Sequence, residues 1–459
     1  MRGSVHRLAR AIATLALAGC SSPAVIPAPT PAPMTLAEPS APENVEVYKA
    51  GGFVVGSGGI PFVGLVRYTA TEFLDSTAVL ITLSVPPRSL SFVRAGDRYA
   101  AFYSMRVDML RGDAIVRSDR STGEVRVASF AETTRGDEGI IFQRIIRTAP
   151  GAYALRVIAQ DSLGSGTGSS NAMITVPAMR EGSISSIIPV FMAEPRDSRN
   201  AALTIVPNPR ATARYGRDSV LAFYLESYGA TAPDTLIVTA RRESSDAVLA
   251  ADTVVGRRNA PVRAVGASLP VYKLDLGSVR VAVSRPDGTQ LESLTGLVNL
   301  GVEMPVTTSQ ELLESLRYFA TDADLQRLRA ASPAARPALW AALVRRTDPN
   351  ASTPDNEALL EYARRLRVAE RLYGRGTRHG WQTDRGSAVV ALGEPDYMTE
   401  PQPADSLGSS KVVTWEYRRH RLFLVFTDAT GPDSWRFTTY SAGEFRALLA
   451  LAGPCVGCR

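Results

Sequence analysis

Histidine and cysteine are nearly absent, with three of each in 459 residues. Apart from His6 near the start, the histidines are His379 and His420, and neither has other ligand types at a metal-binding spacing. No H-E-x-x-H, G-x-S-x-G or P-loop pattern occurs. Zinc proteases of that type, nucleophile-elbow hydrolases and P-loop enzymes are therefore excluded, and neither a metal nor a cofactor is expected. Cys455 and Cys458 form a C-x-x-C after Gly453-Pro454. A redox pair needs a helix N-terminus to lower its thiol pKa, haem attachment needs a His where Arg459 stands, and zinc needs four ligands. In an oxidising compartment either a local disulfide or two incidental thiols fits. Single-sign charge blocks are missing too. The formal net charge is +6 and nearly every base is an arginine, scattered along the chain, so nucleic acid is not expected as a partner. Long apolar runs are also lacking: Ala11 to Ala18 is far short of the roughly 20 residues of a membrane-spanning helix.

That short apolar run follows Arg2, Arg7 and Arg10, the layout of an export signal over 1–19. When it leaves, three positive charges go with it. Leu17-Ala18-Gly19-Cys20 resembles a lipobox, which makes Cys20 the acylated first residue of the mature protein; the alternative is an ordinary leader with an incidental cysteine. At about 0.8 kcal/mol per buried CH₂, a multiply acylated Cys20 holds a folded domain at a membrane surface. Ser21 stands where Asp would favour inner-membrane retention, so an outer-membrane, periplasm-facing location is expected. Residues 20–42 hold seven prolines among Ala and Ser. A polyproline II tether at about 3.1 Å per residue would reach roughly 70 Å.

The expected fold is multidomain: two β-sandwich, immunoglobulin-like blocks, a helical segment, and a C-terminal α+β domain with an antiparallel meander. In the first block, 43–180, apolar and polar residues alternate in Val79 to Val85 and Tyr99 to Met109. Tyr153, Leu155 and Val157 share one face of a strand. The Gly164 to Gly168 loop lacks the following helix and Lys of a phosphate loop, and is expected to be a hairpin turn. In the second block, 184–303, strands are expected at Ser219 to Glu226, Thr235 to Ala240, Val271 to Leu276 and Val279 to Val283, with a Pro286-Asp287-Gly288 turn.

Helices are expected over 308–375. Thr308 and Glu311 have capping-box spacing, and Ser332-Pro333 and Thr353-Pro354 repeat the N-cap plus proline signal. Leu359, Ala363, Leu366, Ala369 and Tyr373 form an apolar stripe; Arg364, Arg365, Arg367 and Arg371 lie opposite, as a solvated face or a contact for an anionic partner. In the domain 376–453, Ala388 to Leu392 is expected to be a strand ending at the Gly393-Glu394-Pro395-Asp396 turn, with a short helix as the alternative. Val412 to Tyr417, Leu422 to Thr427 and Trp435 to Tyr440 form the meander, with Val413, Trp415 and Tyr417 on one face. Ser441 and Glu444 cap a last helix, and 454–459 is a tail.

Within that domain the chain reads His379-Gly380-Trp381-Gln382-Thr383-Asp384-Arg385-Gly386, and then Gly393-Glu394-Pro395-Asp396. The pattern resembles the signature of the GWxTD-domain proteins of bacterial envelopes, and 346–357 resembles the stretch before it. The resemblance covers about 310–440 and implies an envelope protein; the upstream β blocks match the family's general architecture. Taken residue by residue, Thr383 and Asp384 suit the cap of a turn, Arg385 a bidentate carboxylate pair, Gly386 a positive φ, and Trp381 a large buried surface. A structural signature implies a non-catalytic binding, assembly or anchoring role, with envelope proteins or cell-wall polymer as partners. The alternative is a cell-wall or polysaccharide hydrolase pairing Asp384 with Glu394 or Asp396, assisted by His379.

Overall fold

A computed structural model describes residues 45–134, 139–243, 245–257, 260–302, 304–306, 308–353, 355–375, 378–399, 402–403, 411–428, 434–453 and 456. The export signal, Cys20, the tether, and Cys455 and Cys458 lie outside them. The described chain is mostly β-sheet, with helices between the second β region and a C-terminal sheet. No described helix is long and apolar enough to cross a membrane.

In the first region the strand Val54–Gly58 joins two halves of a nine-stranded sheet. It pairs with Phe62–Ala70 on one side and Thr167–Val176 on the other. Thr77–Val85 and Ile140–Thr148 extend one half; Gly151–Asp161, Arg98–Arg111 and Ala114–Val127 extend the other. Both halves bury into one core, where Val79, Ile81 and Leu83 join Met105, Val107, Tyr153, Leu155 and Val157. The expected face of Tyr153, Leu155 and Val157 is therefore the core face. Gly164 to Gly168 closes a hairpin. Thr77–Val85 is buried along its whole length, because its other face packs Leu80 against Ile188 and Tyr224 of the next region.

The second region pairs Ile205–Pro207, Ile188–Ala193, Val220–Tyr228 and Val262–Pro270 in one sheet. A five-stranded sheet follows the order Thr212–Arg214, Gln290–Asn299, Gly277–Ser284, Thr235–Arg242, Val248–Val255, its first pair parallel. Leu221, Phe223 and Leu225 share a core with Leu236, Val238, Val279 and Val281. Val271 to Leu276 is not a strand. After Pro270 the chain makes a 3-10 turn over Val271–Lys273 that buries Val271, Leu274 and Leu276, so their apolar spacing marks a tucked turn. Pro286-Asp287-Gly288 does turn the chain, with Gly288 at φ +88° and the Asp287 carboxylate accepting from the Thr289 amide.

The first helix after the second β region, Ser309–Ser315, starts with the Thr308 hydroxyl accepting from the Glu311 amide, as expected. The next two proline signals mislead. Ser332 only closes a turn, and the helix Arg336–Thr347 begins after Ala335 with Pro337 in its first turn. The long helix Glu357–Tyr373 is capped by Asn356, not by Thr353, because the Asn356 carboxamide reaches the Leu359 amide. Its stripe of Leu359, Ala363, Leu366 and Ala369 is buried and Tyr373 packs against the same core, which continues through Val389, Trp415 and Phe426.

Residues 388–392 form no strand: Asp384–Leu392 is a helix, buried from Gly386 to its end. Burial on all sides removes the alternation that a half-exposed strand would show, and valine's preference yields to packing. Lys411–Tyr417 and Leu422–Thr427 are strands as expected, with Val413, Trp415 and Tyr417 inward. The third segment shrinks to Arg436–Phe437, because the last helix, Thr439–Ala452, starts within the expected strand. Thr438 caps that helix in place of Ser441, whose hydroxyl instead accepts from the Val425 amide.

Candidate functional site

The signature begins as a 3-10 turn, Gly380–Gln382, that leads into the helix Asp384–Leu392. Thr383 joins the two: its hydroxyl accepts from the Gly386 amide at 3.0 Å and donates to the Gly380 carbonyl at 2.7 Å. Both glycines serve close approach. A Cβ on Gly386 would collide with the Gly380 carbonyl, and one on Gly380 with the Ala369 carbonyl of the long helix. The expected positive φ belongs instead to Gly393, at +90°, where the helix ends.

Trp381 is 2% exposed, with its ring stacked on His379 at 5.1 Å and its indole N–H buried without a partner. Its carbonyl accepts from Arg317, whose guanidinium also bonds the Ser387 hydroxyl at 2.7 Å. Arg317 is a site residue that sequence reasoning missed; it lies 64 residues away and carries no local pattern.

Asp384 is not the cap but the first residue of the helix, and its carboxylate reaches outside it. One carboxylate oxygen accepts from the Phe437 amide at 2.8 Å and the other from Arg436 at 3.4 Å, which fastens the helix start to the last strand. Arg385 has an aromatic setting that the expectation of a carboxylate partner did not include. The guanidinium lies 3.9 Å from the Trp435 ring centre and about 6 Å from those of Trp415 and Phe426.

Beyond the helix, the Gly393 carbonyl accepts from the Tyr417 hydroxyl and the Asp396 carboxylate from the Arg418 amide at 2.7 Å, so Pro395 sits in a turn held at both ends. Arg365 corrects the expected arginine face. It is buried, paired with Glu361 at 2.8 Å and donating to the Ala391 and Val456 carbonyls, so it caps the signature helix from the neighbouring helix. Arg364, hydrogen-bonded to Glu361, holds that carboxyl below its ordinary range; Arg364 also reaches Glu394 at 3.3 Å.

The candidate carboxylates lie at opposite ends of the signature helix, Asp384 at its start and Glu394 and Asp396 beyond its end. The helix has nine residues; at 1.5 Å per residue that is about 13 Å. His379 lies 3.2 Å from Glu370 and 3.9 Å from Glu311, and Glu370 also accepts from the Gly380 amide at 2.7 Å. Among the described residues no group of three such donors is placed to hold a metal ion.

Residues 286–425 match the model of a protein family described as the GWxTD domain. The chain carries a GWxTD domain. No curated protein matches the chain. The GWxTD domain starts earlier than the expected residue 310, at the Pro286-Asp287-Gly288 turn, and so takes in the strand Gln290–Asn299 of the second β region. It stops at Val425, before Arg436, Phe437 and Trp435, the residues that Asp384 and Arg385 hold.

Proposed function

We propose that the chain is an envelope lipoprotein, anchored in the outer membrane through acylated Cys20, that works by binding other envelope proteins rather than by catalysis. In this reading the two β regions are immunoglobulin-like sandwiches that stand the GWxTD domain off the membrane, and cell-wall polymer is a further contact. The observation that carries the binding role is on the outer face of the C-terminal sheet. Tyr397 and Phe423, each 57% exposed, flank Glu416 across three neighbouring strands. The signature residues behind that face are occupied in holding the helix, the turn and the strands together. Large apolar side chains displayed on a rigid support suit an interface core, in which aromatic residues are enriched. The hydrolytic alternative asks for carboxylates about 5 to 9.5 Å apart, whereas Asp384 opens a nine-residue helix that Glu394 and Asp396 both follow, and the Asp384 and Asp396 carboxylates each accept from a backbone amide, of Phe437 and Arg418.

The test is affinity isolation of the tagged chain from solubilised membranes, beside Cys20→Ala and a Tyr397→Asp/Phe423→Asp variant. A partner in stoichiometric amount is expected with the native chain and is lost with the double variant. Cys20→Ala should move the chain to the soluble fraction. Recovery of bait alone in several detergents, or a partner indifferent to Tyr397 and Phe423, overturns the proposal.

A further inference from the structure

Where the first β region, the second β region and the long helix meet, the chain forms an open cleft of about 610 Å³, within the roughly 300–1,000 Å³ of sites that take small organic ligands. Its lining brings together arginines, among them Arg88 and Arg210, the carboxylates of Asp218 and Asp355, and the apolar side chains of Phe191, Met304 and Leu360.

The arginines are not spent on internal pairs in equal measure. Arg217, also at the wall, is answered by Asp218 at 3.1 Å. Among the described residues the Arg210 Nε is buried with no hydrogen-bond partner, and neither Arg88 nor Arg210 forms an ion pair. A buried donor on a permanently charged group is costly unless something supplies the acceptor.

The loop that presents Arg210 is fixed. The Asn208 side chain, on a residue 5% exposed, donates to the Thr212 carbonyl at 2.8 Å and accepts from the Thr212 amide at 3.3 Å. Ala211 is held at φ +48°, a left-handed conformation that alanine rarely adopts, and its carbonyl accepts from the Leu297 amide. Unusual backbone kept in place by its surroundings clusters at ligand sites. In the apolar part of the lining Phe191 is 57% and Leu360 41% exposed.

We infer that this cleft is a binding site for a small amphiphilic anion: a phosphate or carboxylate group that accepts from Arg210 and Arg88, carried on an apolar body that covers Phe191 and Leu360. Guanidinium forks match the oxygens of either anion, and the apolar part of the lining selects against a bare ion. The inference does not depend on the envelope role.

The experiment is isothermal titration of the purified full chain with hexyl phosphate, inorganic phosphate and hexanol, repeated on an Arg88→Gln/Arg210→Gln variant. Saturable binding of hexyl phosphate is expected, at least tenfold tighter than inorganic phosphate, with none for hexanol and at least a tenfold loss in the double variant. The thermal midpoint shows whether the double variant is folded. If it is not, Arg88→Gln alone, in an exposed 3-10 turn, is expected to weaken binding at least threefold. Absence of saturable hexyl phosphate binding, or binding unchanged by the variants, overturns the site. Inorganic phosphate binding as tightly as hexyl phosphate overturns the amphiphile.

Discussion

Gly386 shows what the signature asks of a single residue. It starts a helix turn against the Gly380 carbonyl, so the missing side chain is the functional property. Gly386→Ala is expected to destabilise by about 1 to 3 kcal/mol through overpacking, seen as a lower urea midpoint. Gly443, in the last helix with open space around it, provides the contrast. Gly443→Ala should raise stability by about 0.4 to 1 kcal/mol, because it restricts the unfolded chain without meeting a neighbour. A loss at Gly443, or none at Gly386, would refute the close-approach account. That a glycine mattered at 386 was legible from the sequence; the reason was not, since its neighbour is a carbonyl brought close by the local turn. The aromatic setting of Arg385 was not legible, for a related cause. The Trp435, Trp415 and Phe426 rings around it come from 30 to 50 residues downstream, and no local spacing marks their convergence.

Between elements, the decisive tie is Asp384 to the strand Arg436–Phe437. Asp384→Ala leaves the Phe437 amide without its partner and removes a negative charge from a helix start. A cost of about 1 to 2 kcal/mol is expected. Arg436→Gln, which touches only a 3.4 Å exposed pair, should stay within about 0.5 kcal/mol. Thermal unfolding of both variants separates the two contributions; equal losses would mean that the ion pair, not the amide bond, fastens the elements. Elements with one wet face were legible. The stripe of the long helix and the inward Val413, Trp415 and Tyr417 set follow from periodicity alone. The signature helix was not, because a segment buried on every side has no polar phase to betray its period. Helix starts misled where several capping residues stood together: Thr438 won over Ser441, which was drawn to the Val425 amide.

Across the whole molecule, the first and second β regions are joined by a buried charge cluster. Arg196 pairs with Glu226 at 2.6 Å and donates to the Ala70 carbonyl, while the Tyr224 and Tyr228 hydroxyls donate to the same carboxylate and Tyr228 accepts from the Ala70 amide. Removing one partner strands the other charge. Glu226→Ala is expected to cost about 3 to 5 kcal/mol, against under about 1 kcal/mol for Arg147→Ala, which breaks an exposed pair with Glu72. Comparable urea midpoints for the two would show the cluster to be dispensable. A related continuity concerns where the GWxTD domain begins. The ten-residue strand Gln290–Asn299 lies between Thr212–Arg214 and Gly277–Ser284, and both of those precede residue 286. A piece cut at the family bounds would carry that strand with neither neighbour, a bare hydrogen-bonding ribbon open to self-association. In shuffling between genes or in expression work, the smallest transferable unit is therefore longer than the stretch that matches the family and carries part of the preceding β region with it.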